Sequence, residues 1–387
     1  MHAEGHQPID HTKPAVAGVP SGFQPKEFDL SKTSAPSLPV DGARASGEPE
    51  ATLFTYERYS TTDLPSAETA QQVIDLFVTV YGGTHNRETL KSPESYRDEV
   101  RSGGMIPFIA RDANGKVVAH TGILSLGCRA VELGYMLADP AARRHGLAAT
   151  LRDQALRHID QLAAEGVVDV IRAECVTAHV STQKFAKVCN FTVTGILDRK
   201  FYDMFESNRD ETFVRFEYLK NPAIKEHRTV YIPSIMYVMS ENIYKELGYA
   251  RSIAMRPDHE ALAAPIGPAE VARETHELGA WGALAVEFSP GVTPFQMAQE
   301  IEREFAGGVK HLAIRVNISH PAAIDQINAL RTLGFYFAAL EPTRECDYLL
   351  MQRRSVSDGS LCAPGEVSLF DETARTLLSL IRASQLS

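Results

Sequence analysis

The spacing of apolar positions changes period repeatedly after Leu53. "LFTYERYS" alternates as a strand does, whereas "AETAQQVIDLFVTVY" sets Val73, Leu76, Phe77 and Val80 on one helical face. "SPESYRDEV" predicts a second, polar helix. "IPFIARD" and "KVVAHTGILSLG" follow as strands around Asp112-Ala113-Asn114-Gly115, a hairpin turn whose Asn-Gly tolerates positive φ. After another strand, "RAVELGYML", the residues Leu147, Leu151, Ala155, Ile159 and Leu162 recur at three- and four-residue steps. They predict a helix that Gly166 closes as a left-handed cap. The strand "VVDVIRAEC", the helix "VSTQKFAKVC" and the strand "NFTVTGIL" complete this stretch. Such an order implies an α+β fold with a mixed sheet: an antiparallel meander, then a crossover helix that makes the next pairing parallel.

The pattern starts again further on. A charged connector, 203–228, leads to "RTVYIPSIM", the helix "YVMSENIYKELGY", "GALAVEFSP", a helix from Pro294, "HLAIRVNIS", a helix from Pro321 and "GFYFAALEP". "HVSTQKFAKVCNF" and "HPAAIDQINALRTLGF" are each a helix ending in a small residue and Phe after a buried strand, which reads as a diverged internal duplication. The predicted organisation is therefore a disordered Pro-, Gly-, Ala- and Ser-rich tail over 1–52, a first domain over 53–202, the connector, and a second domain over 229–355. A tail over 356–387 carries an amphipathic helix. In it Ser368 and Asp371 suggest a capping box, and Phe370, Ala374, Leu377 and Ile381 form the apolar face.

A length of 387 residues agrees with more than one domain. The net charge of −10 disfavours nucleic acid and anionic membranes as partners, because no Lys/Arg run compensates it, and suits a cationic substrate better. No apolar run approaches the ~20 residues of a membrane span, and "MHAEGHQPIDHTK" lacks the basic-then-apolar order of a secretory signal. The five cysteines, Cys128, Cys175, Cys189, Cys346 and Cys362, lack metal or redox spacing. They point to a reducing cytoplasm and to packed thiols. No metal is expected, and His2, His6 and His11 read as solvated.

The chemistry concentrates in "ADPAARRHGLA". A helix N-terminus presents unpaired amides and a partial positive charge. Gly146 and Ala148 let an anion approach the backbone there, and Arg143, Arg144 and His145 add positive potential. The residues alone leave two readings open: a diphosphate seated on the amides of Arg144 to Ala149, or an ordinary basic loop that caps a helix.

Arg143, Gly146 and Ala148, with Pro140 three residues ahead, resemble the Arg/Gln-x-x-Gly-x-Gly/Ala signature of the GNAT superfamily of acyl-CoA-dependent N-acyltransferases. The element order over about 53–200 is similar to that fold. The resemblance implies a mostly antiparallel mixed sheet flanked by helices, whose fourth and fifth strands splay apart to admit acetyl-CoA as acyl donor. Arg143, Arg144, His145, Gly146, Leu147, Ala148 and Ala149 would hold the pyrophosphate, and Met136, Leu137 and Ala138 would pair with the pantetheine amides. The acceptor would be a small-molecule amine or a protein amino group. Its proton would pass to Glu174, placed like the base of ribosomal-protein alanine acetyltransferases, or to Glu132 on the neighbouring strand. The family's acid, a tyrosine, is replaced by Ala186; Tyr135 is the substitute candidate, and His179 and Thr182 are candidates to touch cofactor or acceptor. The missing tyrosine keeps a rival open, a non-catalytic acyl-CoA sensor. At the matching helix of the second unit, Thr293 and Gln296 predict a capping box around Pro294, which would fill the anion hole. That unit reads as a degenerate GNAT-like domain that shapes the acceptor cleft or mediates a homodimer.

Overall fold

The computed structural model describes residues 54–82, 88–202, 210–256, 269–274, 283–309, 311–354 and 367–385. The tail predicted over 1–52 and Cys362 lie outside them.

The chain begins with β1 (Phe54–Arg58), α1 (Ala67–Tyr81), α2 (Pro93–Arg101), β2 (Met105–Asp112), β3 (Val117–Ser125) and β4 (Ala130–Ala138). Then come α3 (Leu147–Ala164), β5 (Val170–Val176), α4 (Ser181–Val188), β6 (Thr192–Tyr202) and β7 (Asp210–Leu219). A small parallel pair, β8 (Arg228–Tyr231) and β9 (Arg251–Ala254), brackets α5 (Tyr237–Leu247). The rest is β10 (Val271–Glu274), β11 (Ala283–Phe288), α6 (Pro294–Ala306), β12 (His311–Asn317), α7 (Ala323–Thr332), β13 (Tyr336–Pro342), β14 (Asp347–Arg354) and α8 (Glu372–Gln385).

Local chemistry explains the boundaries. Ser66 caps α1 through the Thr69 amide and Gly82 ends it at φ +68°. The β2–β3 turn closes at Gly115, φ +81°, with Asp112 accepting from the Asn114 amide. The α3 stripe predicted from spacing is the buried one: Leu147, Leu151, Ala155, Ile159 and Leu162 are all at most 2% exposed. Each Leu or Ile in it contributes roughly 1.5–3 kcal/mol of burial.

All strands but β8 and β9 join one sheet, in the order β1-β2-β3-β4-β5-β7-β6-β13-β14-β12-β11-β10. From β3 to β6 the pairings run antiparallel, parallel, antiparallel, antiparallel. From β10 to β13 they run in the same sequence, with α6 and α7 where α3 and α4 stand. The two runs meet back to back where β6 pairs antiparallel with β13 at Gly195 and Ala339. Only glycine fits at that seam. A Cβ on residue 195 would lie 2.3 Å from the Ala338 carbonyl oxygen and from the Ala339 Cβ.

Two expectations change. Residues 210–219, read as part of a connector, form β7, a central strand between β5 and β6. Its charged positions, Arg215 and Glu217, are buried rather than solvated. The cap of α8 is Asp371 alone, which accepts from the amides of Thr373 and Ala374; the Ser368 carbonyl instead accepts from Gln183 on α4. Ala374, Leu377 and Ile381 are buried as expected, joined by Leu378, whereas Phe370 precedes the helix and is exposed. The tail helix thus docks on its own chain, over β6 and β13.

Candidate active site

The β4–α3 loop is built to leave amides open. Asp139 turns the chain by capping Ala141, and burial is outweighed by the Lys116 ammonium, which holds the Asp139 carboxyl below its usual range. Arg144 and Gly146 then both adopt left-handed backbone, at φ +74° and +73°. Gly146 is the residue that caps α3, so no side chain covers the amides of its first turn. A Cβ on Gly146 would meet no protein atom within 4 Å, so the space before the helix is open. Among the described residues the amides of Arg143 to Ala149 donate to no backbone carbonyl, and Arg143 and Arg144 form no ion pair. The arrangement fits a phosphate-sized anion.

A gap runs inward from that loop. β4 and β5 pair only at Ala130–Val170, Val131–Ile171 and Glu132–Arg172; beyond, Leu133 to Ala138 have lost β5 as a partner. The separation is helped by a bulge. Between the His120–Leu137 and Gly122–Gly134 pairs, β4 carries one residue more than β3, and Tyr135 takes φ +54°. A separate shallow hollow of about 250 Å³, lined by Phe54, Lys116, Val118, Asp139 and His145 among others, lies on the β1–β3 side of the loop.

The predicted carboxylates differ in their surroundings. Glu132 stands at the last β4–β5 pair, where the gap begins, with its carboxylate over Gly134; a Cβ there would lie 2.9 Å from Oε1. It forms no ion pair with a described residue. Glu174 accepts from Arg215 at 2.9 Å and is committed to a buried network. Tyr135 packs edge-on against Phe77 of α1, with centroids 5.5 Å apart. His179 is exposed ahead of α4, and the Thr182 hydroxyl faces the Cys175 thiol, which burial pushes up to about 12, so that thiol stays protonated and packed. Ala186 is fully buried.

Residues 70–191 match the model of the family described as Acetyltransferase (GNAT) family. They form a GNAT acetyltransferase domain. No curated protein matches the chain in sequence. Among solved structures, spermidine N-acetyltransferase from Vibrio cholerae in complex with CoA and spermine is 15% identical; the similarity covers 43% of this chain and 96% of that one, with a TM-score of 0.35. A variant of the spermidine N-acetyltransferase from Vibrio cholerae is 14% identical over 44% of this chain and 95% of its own, also at 0.35.

Around the GNAT domain's gap, three residues escaped the sequence reading. The His120 imidazole, fully buried, lies 2.9 Å from the Tyr135 carbonyl oxygen and 2.9 Å from the Tyr96 hydroxyl, and the Thr121 hydroxyl donates to the Gly134 carbonyl at 3.2 Å. A polar His-Thr pair inside the apolar run "VVAHTGILSLG" was the available signal.

The second half lacks both features of the GNAT domain's site. β11 and β12 stay paired over six positions, from Ala283–His311 to Phe288–Val316, so no gap opens. The predicted capping box is present, with Thr293 and Gln296 satisfying each other's amides and Pro294 at the first position. Among the described residues no helix is long and apolar enough to cross a membrane, and no cluster of His, Cys, Asp or Glu could hold a metal.

Proposed function

We propose that the GNAT domain transfers an acetyl group from acetyl-CoA to an amine, by direct attack of the amine nitrogen on the thioester carbon. The observation that carries this reading is the continuity of open loop amides, β4–β5 gap and Glu132 at the gap's closed end. The amides of Arg144 to Ala149, with Arg143 and His145, would neutralise the pyrophosphate, and the free edge of Met136, Leu137 and Ala138 would take the pantetheine. The C–N bond forms as the C–S bond breaks; the amine proton passes to Glu132, directly or through one water, and the thiolate leaves. Glu132 is preferred to Glu174 as base because Arg215 already holds the Glu174 carboxylate. Tyr135, His179 and Thr182 are given no chemical step. The acceptor is a small-molecule amine or a protein amino group, which the charge of −10 attracts.

The second half is read as a degenerate duplicate that walls the acceptor side or supports a homodimer, and no metal takes part. Ala186 on α4, where the family resemblance implies a tyrosine as general acid, favours one rival, a sensor that binds acyl-CoA without turnover. Coenzyme A release measured against a panel of amines, with acetyl-CoA affinity by calorimetry, separates the two. Turnover that is lost in Glu132→Gln while affinity persists supports transfer. Saturable binding with no thiol released above hydrolysis supports the sensor, and no binding that Gly146→Trp could abolish overturns both.

A further inference from the structure

Glu132, Arg172 and Glu217 are successive register partners on β4, β5 and β7, so their side chains leave the same face of the sheet. Arg172 thus has a glutamate directly opposite it on either side. Neighbouring strands lie about 4.8 Å apart, within the reach of an arginine side chain. The guanidinium goes to one side only. Its Nε and one terminal nitrogen donate to Glu217 Oε1 at 3.1 and 3.0 Å, and that terminal nitrogen lies 3.6 Å from Glu341 Oε1. Glu341 comes from β13, two strands beyond β7. Glu132 is left with no ion pair to a described residue, and its carboxylate lies over Gly134, where a Cβ would come within 2.9 Å of Oε1. The charges explain the choice. Arg172, Arg215 and Arg315 meet Glu174, Glu217, Glu287 and Glu341, so the arginines are compensated without Glu132. Burial raises Glu217 to about 7, and even when it carries its proton the other three carboxylates match the three guanidiniums. Of the other titratable groups nearby, the Cys175 thiol stays protonated and Arg215 holds Glu174.

We propose that Glu217, backed by Glu341 of the second half, is a positioning residue that holds Arg172 on the β7 side and so keeps it off Glu132, whose carboxylate stays free to take the amine proton. The assignment rests on the reading of Glu132 as the base. An arginine paired with that carboxylate would occupy the lone pairs the amine needs and would lower its proton affinity. The second half, with no open anion site of its own, thereby acts on the chemistry of the first through one carboxylate.

The test is the pH dependence of kcat/KM on the full chain, with acetyl-CoA and the fastest acceptor among butylamine, 1,4-diaminobutane, glycinamide and an alanine-ended peptide. The acid limb that Glu132→Gln removes is the limb to follow. In Glu217→Leu, which offers Arg172 no acceptor, that limb moves down by about 1–3 pH units as Arg172 turns to Glu132. Turnover falls with it, by less than the ~10²–10⁴-fold expected of losing the base. Glu217→Gln, whose amide oxygen still accepts from Arg172, leaves the limb in place. Adding Arg172→Met to Glu217→Leu returns it, because no cation is left to turn. Glu217→Ala serves in the same way if Glu217→Leu does not fold. A limb that stays put in Glu217→Leu, or that moves and is not returned by Arg172→Met, overturns the proposal alone. A limb that survives Glu132→Gln, or a wild type without turnover, overturns the reading of Glu132 as base and the proposal with it.

Discussion

Arg215 on β7 and Glu341 on β13 meet as a buried ion pair across the seam between the two halves of the sheet. Arg215 also holds Glu174, Arg172 holds Glu217, and Arg315 reaches both Glu341 and Glu287. β5 and β7 therefore share one charge network with β11, β12 and β13, and neither side can leave without exposing unpaired charges. Burial alone would raise Glu341, but Arg172, Arg215 and Arg315 hold it well below the usual carboxylate range. Removing one member of a buried pair costs about 3–5 kcal/mol, since its partners stay buried. Glu341→Gln is expected to lower denaturant stability by that amount. A loss under 1 kcal/mol would show that the network is not integral to the fold.

The two candidate glutamates should separate cleanly. Glu132→Gln is expected to reduce turnover by about 10²–10⁴-fold, the usual contribution of a positioned base, with little change in melting temperature. Glu174→Gln should instead act mainly on stability, by about 1–3 kcal/mol, because it weakens the Arg215 contact. Kinetics and thermal melts on both variants check this, and the reverse pattern would move the base to Glu174.

Much of this was legible in the residues. The α3 stripe, the hairpin at Asn114-Gly115 and the Thr293/Gln296 box are local patterns, and local patterns survive folding. What escaped depends on partners far away in the chain. "DETFVRFEYL" looks like a solvated connector because Arg215 and Glu217 look exposed, until Glu174 and Glu341 arrive from other strands to neutralise Arg215 and Arg172 arrives to hydrogen-bond Glu217. His120 is another such case. Its contacts come from a bulge in the next strand and from a tyrosine 24 residues earlier, which no periodicity reports.

The seam allows a sharper steric test. The Gly195 Cα faces the β13 backbone, which cannot rotate aside as a long side chain would. Gly195→Val is expected to destabilise by about 1–3 kcal/mol or more and to force β6 from β13. A thermal melt within 1 °C of wild type would mean that the halves are not held by that pairing.

Glu217 makes the network sensitive to pH. Burial raises it to about 7, against the pull of Arg172 and Arg215, and its Oε2 is buried without a partner. A carboxyl whose folded value lies above its ordinary 4.5 keeps its proton in the folded chain while the unfolded chain has lost it. Its stabilising share is then complete below about 4.5, declines as pH rises, and is gone above about 7. Glu341, shifted the other way, contributes above its ordinary value and loses that contribution as pH falls, so the two together place maximal stability near pH 5. At 1.36 kcal/mol per unit, Glu217 should lower the unfolding free energy by roughly 2–4 kcal/mol between pH 5 and pH 8. Histidines titrate in the same window, so the informative quantity is the difference between wild type and Glu217→Gln. Denaturant unfolding of both across that range should show a steeper decline in wild type, and parallel curves would mean that Glu217 is ionised in the folded chain throughout.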